Sequence, residues 1–259
     1  MPSGSILVYA IISDVHANLE ALEAVLKDID LHGIKDIINL GDVVGYGPDP
    51  EACIDLVRKR CLVNLSGNHE YAILFGFAEA FNQVAEEAVA YHRERLEATD
   101  DSPQEKKDRW RFLKMMPSRY MRGDAFFVHG SPRNPQHEYI MEADVLWGLE
   151  RKLRDIFAKF EHVLFVGHTH RPGVIGEDMK FHAPTDQNDR FVIGPRKLIV
   201  NVGAVGQPRD GDIRACYVTH EDNVVRFHRV PYDYQKTQAK VACTGRLDPS
   251  IGDRLAQGR

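Results

Sequence analysis

The chain has 259 residues, 43% of them hydrophobic, and a formal net charge of -5. That length can bury a sizeable core, and so mild a negative charge gives no electrostatic footprint for nucleic acid. Cys53, Cys61, Cys216 and Cys243 form no close-spaced pair, which excludes a zinc ribbon or a disulfide framework and predicts a reduced, cytoplasmic setting.

The opening Met1-Pro2-Ser3-Gly4-Ser5 lacks a basic n-region, and no apolar run approaches the roughly 18 residues of a membrane span. Ile6 to Ile12 are all apolar, so this strand is expected to be buried on both faces. Asp14 and His16 stand just past its end, where open α/β sheets place ligands. Leu19, Leu22, Val25, Leu26 and Ile29 then recur at helical spacing, predicting a helix over 18–31 with Gly33 as its stop.

The same device returns along the chain. A short strand at 37–40 ends in Gly41-Asp42, and the turn-rich Gly45–Pro50 loop leads to a helix over 51–60. A strand over 61–65 ends in Ser66-Gly67-Asn68-His69-Glu70. Residues 71–117 read as a helical insertion that either caps the strand ends or extends the outer layer. Within it, Ser102-Pro103-Gln104-Glu105 has the form of a capping box.

A strand over 125–128 ends in His129-Gly130, and a helix is expected from 144 to 160. The strand at 163–166 ends in Gly167-His168-Thr169-His170, and a polar, β-like stretch over 171–196 reads as a hairpin. The strand at 198–201 meets the turn from Gly203 to Arg209. Two antiparallel strands near 213–219 and 223–230 follow. The tail over 233–259 is polar, with room for a short helix. With no repeat, linker or composition shift, 1–259 reads as a single domain.

Five of the 12 histidines therefore fall at strand ends, beside Asp14, Asp42 and Asn68. Only convergence at one sheet edge explains that spacing, and it points to metal. Asp14, His16, Asp42, Asn68, His129, His168 and His170 are too many donors for one first-row ion and suit two. Mixed N/O ligation without thiolate favours Mn, Fe, Zn, Ni or Co over Mg or Ca. Two dications side by side call for a bridging carboxylate and lower the pKa of a bridging water.

Asp-x-His, Gly-Asp, Gly-Asn-His-Glu, His-Gly and Gly-His-Thr-His, in this order, resemble the calcineurin-like metallophosphoesterase superfamily. The Gly45–Pro50 loop, Gly130-Ser131-Pro132-Arg133 and the run from Gly206 to Asp212 are similar to a bacterial subgroup related to diadenosine tetraphosphatases. The resemblance implies a four-layer α-β-β-α sandwich, with two mixed sheets flanked by helices and the metal site at the strand ends. It puts Asp14, His16 and His170 on one ion and Asn68, His129 and His168 on the other, with Asp42 between them. It sets His69 against the leaving-group oxygen, with Glu70 hydrogen-bonded to it and keeping it protonated.

The reaction implied is attack by a metal-bridging hydroxide on a small phosphomonoester or phosphodiester. Arg133, Arg171 and Arg209 flank the blocks and are candidates for clamping phosphate oxygens. Neither nucleic-acid nor membrane partners are expected. Gly41-Asp42-Val43-Val44 lacks the Asp-Arg-Gly that protein serine/threonine phosphatases carry after this block. The alternative on the same fold is a non-catalytic protein-binding scaffold, a kind that tends to lose a ligand or the leaving-group histidine. The remaining histidines, His92 among them, read as surface or packing residues.

Overall fold

A computed structural model describes residues 8–76 and 81–259. Ile6 and Leu7, expected to begin the first strand, lie outside the described residues. That strand, β1 (Val8–Ile12), is buried on both faces as its composition demands. Tyr9 and Ile11 point into one core with Phe127, Phe165 and Val218, while Ala10 and Ile12 point into another with Leu22, Val25 and Ile29. β1 pairs in parallel with β2 (Ile37–Asn39), which pairs in parallel with β3 (Val63–Asn64). Its other edge meets β11 (Ala215–Glu221) antiparallel, followed by β12 (Val224–Val230) and β9 (Arg190–Val192).

The second six-stranded sheet runs β4 (Arg119–Arg122), β5 (Ala125–Val128), β6 (Val163–Val166), β10 (Leu198–Asn201), β7 (Gly173–Gly176), β8 (Phe181–His182). β5, β6 and β10 are mutually parallel. The two sheets pack face to face, so the fold is a mixed α/β sandwich of four layers. Helices α1 (Leu19–Leu31), α2 (Pro50–Arg60) and α5 (Gln104–Met115) cover the first sheet through Leu22, Val25, Ile54, Val57 and Trp110. On the far side, Leu153, Ile156 and Phe157 pack on Leu164 and Ile199. All four cysteines are free, and among the described residues no helix is long and apolar enough to cross a membrane.

Several expectations need correction. The helix foreseen over 144–160 is two, α6 (Glu142–Leu146) and α7 (Glu150–Phe157), because Gly148 between them takes φ +69, which ends a helix. Ser102 does not cap α5: its Oγ accepts the N–H of Thr99 at 2.9 Å, and Pro103 occupies the cap position. The stretch 171–196 contributes β7 and β8 to one sheet and β9 to the other. The tail holds two helices, α8 (Tyr234–Thr244) and α9 (Ser250–Leu255). Thr237 Oγ1 donates to Asn18 Oδ1 at 3.0 Å, and Lys240 bridges Glu20 and Asp49 at 2.7 Å each.

Candidate metal centre

Each donor follows the end of a parallel strand, Asn68 as the first residue of a helix and most of the others in a sharp turn. Asp14, His16, Asp42, His168 and His170 all have φ between 47 and 66, the left-handed region, at about 1–2 kcal/mol each. Backbone bonds between the turns hold them there. Asp14 N–H donates to Gly41 O at 3.0 Å, His16 N–H to Asp42 O at 2.9 Å and Ala17 N–H to Val43 O at 2.7 Å. His168 N–H donates to Asp14 Oδ2 at 3.0 Å, joining the two sheets. At Gly67 a Cβ would stand 2.1 Å from Asp42 Oδ1, which is why only glycine fits there.

Two knots of donors form around Asp42. In the first, His16 Nδ1 lies 3.0 Å from the Val44 carbonyl and His170 Nδ1 lies 2.7 Å from that of Gln207. A carbonyl only accepts, so each ring carries a proton on Nδ1, the tautomer that leaves Nε2 as the ligating lone pair. These Nε2 atoms are 3.0 Å apart, and Asp14 Oδ1 is 3.2 Å from that of His170. Lone pairs and a carboxylate oxygen brought so close fit a cation between them. The carbonyls behind the rings are the outer partners that ligating histidines use.

In the second knot, His168 Nε2 faces the His137 carbonyl at 3.3 Å and turns its Nδ1 lone pair to His129 Nε2 at 3.1 Å. Asn68 Oδ1 and Asp42 Oδ2 lie 3.1 and 3.2 Å from the same His129 atom. Asp42 Oδ2 is also 3.7 Å from His16 Nε2, so its carboxylate reaches both knots. All seven side chains are buried.

Charge reads the same way. Burial alone would raise the Asp14 and Asp42 carboxyls, yet the surrounding imidazoles hold both well below the usual carboxylate range. Burial works to lower His129, and the Asp42 carboxylate overcomes it, raising the ring to about 9. Burial carries His168 down to about 3 and, with Arg209 adding to it, His170 down to about 4, so both stay neutral and able to ligate.

The expected partnership of His69 and Glu70 does not form. Glu70 instead accepts N–H groups from Asp42 at 2.8 Å, Val43 at 2.7 Å, Val44 at 3.2 Å and Gly67 at 2.8 Å. It clamps the turns that carry Asp42 and Asn68. Burial and the Asp42 charge push its carboxyl up to about 7 against those donors. The His69 imidazole is packed among His16, Tyr46 and Phe81, and burial lowers its pKa well below the ordinary value. It is neutral, not the cation anticipated.

Donors and rings enclose a pocket of about 110 Å³, lined by Asp42, Asn68, His69, His168, His170 and Arg209. Phe81, Asn82 and Ala85, at the start of α4 (Gln83–Leu96), also line it. Of the three arginines singled out, Arg209 is at this pocket, braced on Gln207 Oε1 at 2.6 Å. Arg171 is exposed and lines the next cavity. Arg133 lies apart, paired with Glu138 at 2.8 Å and Asp155 at 3.5 Å.

Two functional neighbours escaped the sequence reading. Tyr139 stacks on His168 with centroids 3.7 Å apart, and nothing in the pattern around it marks it. His92 on α4 is fully buried: Nδ1 accepts the Gly45 N–H at 2.9 Å and Nε2 donates to Gly47 O at 2.8 Å. Its place on the inner face of a helix facing a glycine-rich loop was the available signal.

A model of the calcineurin-like phosphoesterase superfamily domain matches residues 7–224. The chain is 34% identical to the uncharacterized protein MJ0912 of Methanocaldococcus jannaschii, across 96% of this chain and 98% of that one. Among solved structures, a metallophosphoesterase from Sphaerobacter thermophilus superposes with a TM-score of 0.82 at 40% identity, covering 98% of this chain and 100% of the other. The hypothetical protein PH1004 of Pyrococcus horikoshii OT3 shares the fold, with a TM-score of 0.72 at 18% identity over 97% and 98% of the two chains.

Proposed function

Because the chain belongs to the calcineurin-like phosphoesterase superfamily, whose members hydrolyse phosphoric esters, we propose that it cleaves a small phosphomonoester or phosphodiester with two divalent transition-metal ions. The observation that carries this reading is the pair of donor knots meeting at one carboxylate. Asp14, His16 and His170 would hold one ion, Asn68, His129 and His168 the other, and Asp42 both. Mn, Fe, Zn, Ni and Co all suit this donor set. Such ions, when bound, polarise phosphoryl oxygens and make water a nucleophile at neutral pH.

The chain's own groups do the rest. His69, neutral and wedged between aromatic rings, offers a ring N–H to the departing oxygen at the pocket wall. Arg209 brings a fixed positive charge to the pocket edge, where it attracts phosphate oxygens. Tyr46 and Phe81 keep bulk water from His69. A scaffold on the same fold is disfavoured, since no donor position is lost and His69 is in place.

The test pairs turnover with metal content. With Mn, the protein should hydrolyse p-nitrophenyl phosphate or its bis-ester. His69→Ala should retain both ions and lose about 10²–10³-fold in turnover, the usual weight of one hydrogen-bond donor to a developing oxyanion. Asp42→Ala should lose metal as well; equal metal loss in the two variants would overturn the roles. Asp28, His32 and His228 also bring three ligand atoms within 4.8 Å on the outer surface, so the count is made in a His228→Ala background.

A further inference from the structure

A second cavity, about 450 Å³, lies beside the metal pocket, between α6 and the outer face of the second sheet. It shares Tyr139 and Arg209 with the metal pocket, so the two spaces adjoin across those side chains. Its walls are carbon: Ile140, Leu146, Val166, Ile175, Phe181 and Ile199. We infer that this cavity receives the organic group of the ester, and that this group is a flat, apolar ring system. The inference rests on the hydrolase reading and adds the substrate class.

Size is the first argument. The metal pocket, at about 110 Å³, has room for a phosphoryl group and little more, whereas 450 Å³ is within the range of ligand sites. Polarity is the second. Asn201, the amide in the wall, is already occupied: Nδ2 donates to Gly167 O and Thr169 Oγ1 at 2.8 Å each, and Oδ1 accepts the Gly203 N–H at 3.0 Å. Thr169 Oγ1 in turn accepts the Arg171 N–H at 3.1 Å. A hydroxyl-rich group would lose its water against these carbon walls, where the amide and hydroxyl are already engaged.

Charge is the third argument. Arg209 stands at the junction, complementary to the phosphate that such a ring carries. Glu142, the one acid of the lining, also belongs to the groove beyond, away from the metal pocket. Tyr139 offers a broad ring where the two cavities meet, the surface on which a flat group stacks.

The experiment compares 1-naphthyl phosphate with glycerol 2-phosphate on the metal-loaded protein, and follows 1-naphthol binding by its fluorescence. The naphthyl ester should show a KM at least tenfold lower. Ala143→Trp, which fills the cavity from α6, should raise that KM tenfold or more and abolish naphthol binding. Turnover of the glycerol ester should stay within twofold. Leu146→Asp, at a position 72% exposed and so harmless to folding, should act in the same direction.

Equal KM values for the two esters, or naphthol binding untouched by both variants, overturns the inference. Failure to hydrolyse any ester while naphthol still binds overturns the hydrolase reading instead.

Discussion

A buried imidazole with both nitrogens engaged cannot take a proton without losing a bond, and His92 is such a ring. Protonating Nδ1 would expel the Gly45 N–H, and burial already brings its pKa down to about 3. The unfolded chain takes that proton near pH 6.5, so between about 6.5 and 3 the unfolded state binds more protons, and stability drops as the pH is lowered. The slope reaches about 1.4 kcal/mol per unit. His92→Phe should cost about 2–3 kcal/mol at pH 7.5, through two orphaned backbone groups. Urea melts should show that difference shrinking toward pH 4; a gap constant with pH would count against the clasp. Read as a mere packing histidine, His92 was misjudged because its partners are backbone atoms, which leave no trace in residue type. The convergence of the candidate metal donors was legible for the opposite reason: their chemistry lies in the side chains themselves, and the buried strands before them announce where they stand.

At the scale of elements, the turns after β1 and β2 form one zipped unit whose pin is Glu70, at the start of α3 (Asn68–Phe75). The family resemblance implied that it is a catalytic partner of His69. Its burial and four N–H donors make it a structural clamp, a role that only the convergence of two loops reveals. Glu70→Gln replaces an acceptor oxygen with an NH₂ facing backbone N–H groups. The expected cost is about 2–4 kcal/mol, with weaker metal binding because Asp42 shifts. Calorimetric metal titration should show the loss, and wild-type affinity in this variant would remove Glu70 from the site's support. Element boundaries were legible where periodicity was strong, as in α1 and β6. They failed at Gly148, where a single left-handed residue divides an apolar stripe that otherwise runs on.

At the scale of the molecule, the first sheet supplies Asp14, His16, Asp42 and Asn68, and the second supplies His129, His168 and His170. An ion held by both resists any motion that parts the sheets. Metal at a hundredfold excess over its Kd should therefore add about 2.7 kcal/mol for each site. For a chain of this size that is a Tm rise of roughly 5–10 °C per site, reversed by EDTA. A Tm indifferent to metal would mean that the two sheets do not share the ions. The layered fold itself could be inferred from strand and helix order only with the help of resemblance, since nothing local says where one sheet ends and the next begins.

The tail helices bear on when the enzyme becomes competent. Val241, Leu247 and Ile251 pack against Tyr46, Ala85 and Ala88, bracing the loop that walls in His69. Every metal donor precedes them in the chain, so a growing polypeptide exposes its complete coordination set to the ribosome's surroundings before that brace exists. The order of these segments predicts that metal binding does not depend on the tail helices, whereas the setting of His69 does.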